Sequence, residues 1–272
     1  PLLGEETDIR NFLKQLLSPE DSKLSLTMII DSSIQDLPWE GLSLGSLFNG
    51  RINRDFSLHM LGHRLNKFAP DPAVKPLCEA SSIKTVFDPY GDDTGSNLEG
   101  YERESIKSIT KKLIDTAPGG SKWTEVNSGS GMLSTQDWIS TIQSPAPVPD
   151  AKGNVTEKKN QSLFIYTPGR LGSLLSPMEI ASLNFEDVLL LLCTDQGLND
   201  ASLRRQNSLD NIKNPKDIVM ETSLKIIANV SLAGCGAMVT SLWGTTLTSQ
   251  KRSVQRFWDT FIQDGNNISS AL

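Results

Sequence analysis

The chain has 272 residues, the size of one large domain or of a domain with a small companion. Its 26 Lys and Arg against 32 Asp and Glu leave a formal charge of −6 with only 6% aromatic residues, a balance that makes it a poor candidate for a nucleic-acid groove, which needs a basic stripe and stacking platforms. Apolar residues make up 38%, no run approaches the roughly 18 needed for a transmembrane helix, and three cysteines, at 78, 193 and 235, cannot all pair, which argues against a disulfide-stapled secreted fold.

The first strong element is Leu24-Ser-Leu-Thr-Met-Ile-Ile30, a strand ending at Asp31 and running into Leu37-Pro38-Trp39-Glu40, where proline stops regular structure. A glycine-rich turn region covers 41–50. Asp55 is expected to cap a helix reaching about Lys67, with Phe56, Leu58, Met60, Leu61, Leu65 and Phe68 giving a mixed apolar pattern. A short strand is expected at 83–87, stopped by Asp88-Pro89, then a loop over 90–100 and a helix over 101–117 with Ile106, Ile109, Leu113 and Ile114 near the helical period. Ser134 with Asp137 three residues on predicts a capped short helix around Trp138.

Residues 144–160 are rich in Pro, Gly and charge and read as a surface loop. Strands follow at 162–167 and 188–193, the second apolar at every position as a strand covered on both faces should be. Residues 200–216, polar and Asn-rich, read as another loop. A helix over 218–232 ends at Gly234, a strand occupies 237–242, and a last helix covers 250–263. Short apolar strands alternating with helices predict an α/β sandwich with a mostly parallel sheet flanked by helices. Ligands gather at the carboxyl ends of such strands, which places Asp31, Asp88, Thr167-Pro168-Gly169, Cys193 to Gly197 and Trp243-Gly244 at the candidate edge.

Cys193 is the sharpest chemical candidate, because it ends a buried strand and could stand exposed at its tip as a nucleophile. A cysteine nucleophile wants a histidine beside it, and the chain has only two, His59 and His63, four apart in the early helix. Their spacing can hold a metal, yet the zincin pattern needs Glu beside the first histidine and Met60-Leu-Gly62 intervenes. No metal is therefore expected. Gly169, Gly172 and Ser173 suggest a phosphate loop, but no Gly-Lys-Ser/Thr follows, so neither nucleotide nor any other cofactor is expected. Asp31, Asp88 and Asp195 follow three strands and could form an acidic trio, though aspartates are ordinary turn residues there. Asn154, Asn229 and Asn267 head glycosylation-type triplets that read as chance matches, since no secretion signal is expected. The chain opens at Pro1, and is expected to be a processed product or the ordered part of a longer protein.

Leu37-Pro38-Trp39-Glu40 after a strand resembles the Leu-Pro-Trp/Phe-Glu element of separases and CHAT domains, which are caspase-like cysteine peptidases of clan CD. Leu232-Ala-Gly-Cys-Gly236 leading into Ala237-Met-Val-Thr-Ser-Leu-Trp243-Gly244 resembles their penultimate strand region, and Arg252 to Phe261 resembles the helix that follows. The resemblance runs over about residues 24–263. It implies a caspase-like sandwich and one CHAT/separase-like domain over 1–272, with insertions near 90–100, 144–160 and 200–216. It places Cys193 at the nucleophile position, although three residues, Thr194, Asp195 and Gln196, precede the next glycine where the family has two. The segment Phe164-Ile-Tyr-Thr-Pro168-Gly169 matches the strand that ends in the family's histidine, so Pro168 stands where the base should be.

Proline can neither take nor give a proton through its side chain, so the resemblance implies an inactive copy in which Pro168 and Cys193 are vestigial positions. Arg54-Asp-Phe-Ser-Leu-His-Met60 with Phe87-Asp-Pro-Tyr90 is further similar to the C-terminal region of very large cilia- and flagella-associated scaffold proteins of the axonemal central apparatus. That likeness implies protein partners in a large complex, with no nucleic acid and no membrane, in the cytoplasm or the ciliary axoneme. The alternative is a cysteine endopeptidase using Cys193 with His59 or His63 as a non-standard base. Trp39 and Trp243 are expected to be fold residues at the sheet's rim.

Overall fold

The fold was analysed in a computed structural model. The structure describes residues 11, 26–35, 37, 39, 52–68, 83–87, 111–112, 114–115, 124–127, 134–143, 161–166, 170–173, 175–186, 188–193, 197–198 and 200–259. The expected loops at 90–100 and 144–160 and the glycine-rich turn at 41–50 lie outside these residues. Two compact units divide the chain, residues 1–67 with 256–272, and residues 68–255.

In the first unit, β1 (Leu26–Ile29) pairs in parallel with β2 (Ile52–Asp55), Leu26 opposite Ile52 and Ile29 opposite Asp55. The strand expected at 24–30 is therefore present, but its partner is a strand that Ile-Asn-Arg-Asp, with one apolar residue in four, did not announce. Helix α1 (Leu58–Phe68) begins later than expected. Ser57 caps it, its hydroxyl accepting from the Met60 amide at 3.2 Å. Asp55 instead ends β2, and its buried carboxylate accepts from Arg64 Nε at 3.1 Å and from the Phe56 amide at 2.7 Å. Arg54 donates to the carbonyls of Gln35 at 2.5 Å and Leu37 at 2.8 Å, and Trp39 Nε1 donates to the Ile34 carbonyl at 2.9 Å. One guanidinium thus reinforces the turn after β1, which its own backbone bonds from Ile34 to Asp31, Leu37 to Ile34 and Trp39 to Leu37 already shape.

The second unit is built on β3 (Ile83–Phe87), β4 (Thr124–Asn127), β5 (Gln161–Tyr166), β6 (Val188–Cys193) and β8 (Ala237–Thr240), a wholly parallel sheet in the order β4-β3-β5-β6-β8. The expected strands 162–167, 188–193 and 237–242 are thus adjacent and parallel. Numbered within the sheet this order is 2-1-3-4-5, a doubly wound arrangement whose direction reverses between β3 and β5. A short parallel pair, β7 (Gly197–Leu198) with β9 (Thr245–Thr246), lies beyond the ends of β6 and β8 in sequence. β6 is buried at all six positions, as its unbroken apolar run predicts. β4, an edge strand of sequence Thr-Glu-Val-Asn among the described residues, carried no such signal.

Helices cover the sheet's apolar side chains. α2 (Thr135–Ile142) opens with the Ser134–Asp137 capping box that the sequence predicts, and buries Trp138 and Ile142. α3 (Pro177–Ser182) has the same device in Ser176 and Glu179, with Pro177 at its first position, and buries Ile180. α6 (Ser223–Leu232) packs against α3 and contributes Ile226 and Val230 to the core around Trp138, Phe185 and Leu191. It stops in a Schellman motif, the Cys235 amide reaching the Val230 carbonyl at 3.3 Å and the Gly234 amide reaching Ser231 at 3.1 Å. Gly234 sits at φ +104°, which a side chain would strain. The last helix, α7, spans Leu247–Trp258, starting earlier than expected.

The expected loop at 200–216 is a correction. Those residues form α4 (Asp200–Asp210) and the start of α5 (Pro215–Met220). α5 is separate from α6, because Thr222 takes the cap position of the next helix. Residues 200–216 lack apolar periodicity because the inward positions of α4 are polar, Gln206 and Asp210 one turn apart. The Asn214-Pro215 start signal was nonetheless legible.

Lys84 carries a measurable consequence of this packing. It lies on the core-facing side of β3 with Val86, and burial pushes its ammonium below the ordinary lysine value of 10.5. The unfolded chain keeps the proton up to that value while the folded chain releases it earlier. Stability therefore rises with pH between the two, and is lower below them by the full penalty. Lys84→Met is expected to raise the urea midpoint at pH 7 and to flatten that alkaline rise. A lowered midpoint would show that the ammonium helps rather than hinders folding.

Candidate functional site

The carboxyl ends of β3, β5, β6 and β8 form one edge of the sheet, and the reversal between β3 and β5 is where such sheets open a crevice. Pro168, with Thr167 and Gly169, follows β5 outside the described residues, as do Asp88 after β3 and Asp195 after β6. Cys193 is described. It is the last paired residue of β6, opposite Ile165 on one side and Thr240 on the other.

Its thiol does not stand at an exposed strand tip, which corrects the expectation. Cys193 has no exposed surface and belongs to the apolar cluster with Val86, Trp138 and Leu191. The odd-numbered residues of β6 share a face, so Leu191 and Cys193 point into the same core. Buried thiols in such surroundings are ordinarily inert. Cys235 is buried as well, its thiol donating to the Ala237 carbonyl at 3.2 Å.

His59 and His63 lie one turn apart on α1, both exposed, in the first unit, whereas Cys193 belongs to the second. Among the described residues no group of three or more His, Cys, Asp or Glu is gathered to hold a metal ion. Asp31 serves a turn. Its carboxylate accepts from the Ser33 hydroxyl at 2.6 Å and the Ser33 amide at 2.9 Å, and these bonds hold it below the usual carboxylate range.

The phosphate-loop reading of Gly172 and Ser173 meets a different use of both residues. A Cβ on Gly172 would stand 2.9 Å from Ile226 Cδ1 and 3.0 Å from the Glu221 Cα. The glycine therefore lets the short 3-10 turn at Leu171–Ser173 lie directly against the start of α6. The Ser173 hydroxyl lies 3.0 Å from Glu221 Oε2 and 3.2 Å from Gln206 Oε1, and Gln206 Nε2 donates back to it at 2.9 Å.

These residues belong to a half-buried polar cluster that sequence patterning missed. The Arg170 guanidinium meets the Asp210 carboxylate and lies 3.4 Å from Glu221, the Lys213 ammonium meets Glu221, and Gln206 Nε2 donates to Asp210 at 2.9 Å. Four charges of balanced sign compensate one another. The signal that could have found it is the Gln206/Asp210 pair at helical spacing, with an arginine directly before the 3-10 turn at Leu171–Ser173. Trp243, expected as a fold residue, is 55% exposed between β8 and β9, and Trp39 is half-buried.

No protein-family model and no curated protein sequence matches the chain. A solved structure does, the crystal structure of the Saccharomyces cerevisiae separase–securin complex, with a TM-score of 0.55 at 16% identity. The match covers 91% of this chain and 14% of that one. It shows the fold alone, a mixed α/β arrangement of parallel strands flanked by helices, similar to a caspase-like sandwich. No described helix is long and apolar enough to cross a membrane.

Proposed function

We propose that the chain is a catalytically inactive CHAT/separase-type domain that serves as a structural and interaction module in a large protein assembly, with the axonemal central apparatus as the setting its sequence resembles. The observation that carries this reading is that Cys193, where the resemblance puts the family's nucleophile, is enclosed in the apolar core. Pro168, where the resemblance puts the family's base, supports it. A domain kept for its shape retains the sheet and its helices, and it loses the paired nucleophile and base that chemistry requires. The likeness to one stretch of a much longer solved chain supports a module within a larger protein.

The test compares wild type with Cys193→Ala in the native assembly, the partners co-purifying with each being quantified by mass spectrometry. The same partners at the same levels are expected for both. A Cys193→Ala protein that melts like wild type yet abolishes the biological role would overturn the proposal and favour the cysteine endopeptidase.

A further inference from the structure

The polar cluster joins two kinds of structure, and the difference between them is physical. On one side are residues fixed by the core. Arg170 and Ser173 flank the buried Leu171 and Gly172, and Glu221 is buried against Gly172. On the other side are α4 and α5. α5 buries no side chain, and among the described side chains of α4, those of residues 204–210, only the polar Gln206 is buried. Ile212, in the turn between the two helices, is 83% exposed and Val219 on α5 is 58% exposed, while Leu209 and Ile218 are half-buried. Nor is the pair needed to connect β6 to β8, since α6, ten residues long and packed on the core, already forms the helical crossover that parallel strands require.

What seats α4 and α5 is a set of matched polar contacts. Asp210 meets Arg170, Lys213 meets Glu221, and Gln206 meets Ser173 and the Arg170 amide, the last at 3.4 Å. We propose that residues 200–220 form a detachable helical flap, seated by this polar clasp and able to open while the parallel sheet stays folded. Elements with few buried apolar contacts occupy the low end of a protein's local stability, and they open as units. The junction at Glu221-Thr222, between the end of α5 and the start of α6, is the hinge on the α6 side. Opening uncovers Arg170 and Ser173, which follow β5 in sequence. The flap is therefore a conformational switch built of charge, independent of whether the edge performs chemistry.

The test is hydrogen–deuterium exchange on the intact chain, comparing amides of 204–220 with those of Val188–Cys193. In wild type the flap amides are expected to exchange well ahead of the β6 amides. Asp210→Asn, a change on the flap's half-exposed side, removes a charge-assisted bond and is expected to speed flap exchange about tenfold with β6 unchanged. Arg170→Gln should do so more strongly, and if it fails to fold, Asp210→Asn decides alone. Flap and β6 amides exchanging together in wild type, or flap exchange unmoved by Asp210→Asn, would overturn the proposal.

Discussion

Replacing Trp138 with alanine is expected to cost the protein about 3–5 kcal/mol, enough to threaten the fold of a domain whose whole stability is about 5–15 kcal/mol. Trp138 is 1% exposed, projects from a capped helix, and packs in the cluster that holds Val86, Ile142, Phe185 and Leu191. Deleting its ring removes a large apolar surface and leaves a cavity that two packed layers cannot close. Its Nε1 finds no acceptor among the described residues, so Trp138→Phe gives up no hydrogen bond and is expected to recover much of the loss. Trp243→Ala, at a mostly exposed position, is expected to cost under about 1 kcal/mol. Chemical denaturation of the three variants checks the order. Equal costs for Trp138→Ala and Trp243→Ala would show that the core is not organised around α2.

Gly172→Ala is the second large effect, expected to destabilise by about 1–3 kcal/mol although it adds a single methyl group. The new Cβ would stand 3.0 Å from the Glu221 Cα, a backbone atom that cannot rotate away, and 2.9 Å from Ile226 Cδ1. The start of α6 must shift, which disturbs Ile226 in the core and Glu221 in the clasp together. A denaturation midpoint lowered by that amount is the expected result. An unchanged midpoint would mean that the 3-10 turn and α6 are not held in this close contact.

Apolar runs made the central strands legible. Val188 to Cys193 announces a strand buried on both faces because no position is polar, and Ser134 with Asp137 announces a helix start because both side chains must satisfy free amides. What stayed hidden was held by polar or sparse contacts. β2 and β4 each have few apolar residues, and their pairing depends on neighbours distant in sequence. α4 turns Gln206 and Asp210 inward, so a search for apolar periodicity read it as loop. At the candidate edge the position of Cys193 was legible and its environment was not. A strand-ending cysteine looks the same in sequence whether its sulfur faces a crevice or a core, and the enclosing residues Val86 and Trp138 come from elements far along the chain.

The most direct test of a peptidase-like fold without peptidase chemistry is peptide cleavage by the intact protein in its native assembly, wild type beside Cys193→Ala. The variant's melting temperature is measured first, to establish that its core is intact. A positioned general base contributes about 10²–10⁴-fold in rate, and the chain has Pro168 where the resemblance places that base. No peptide is expected to be cut in a way that depends on Cys193. A peptide cleaved with turnover by wild type and left whole by a correctly folded Cys193→Ala protein would contradict the account and identify Cys193 as a working nucleophile.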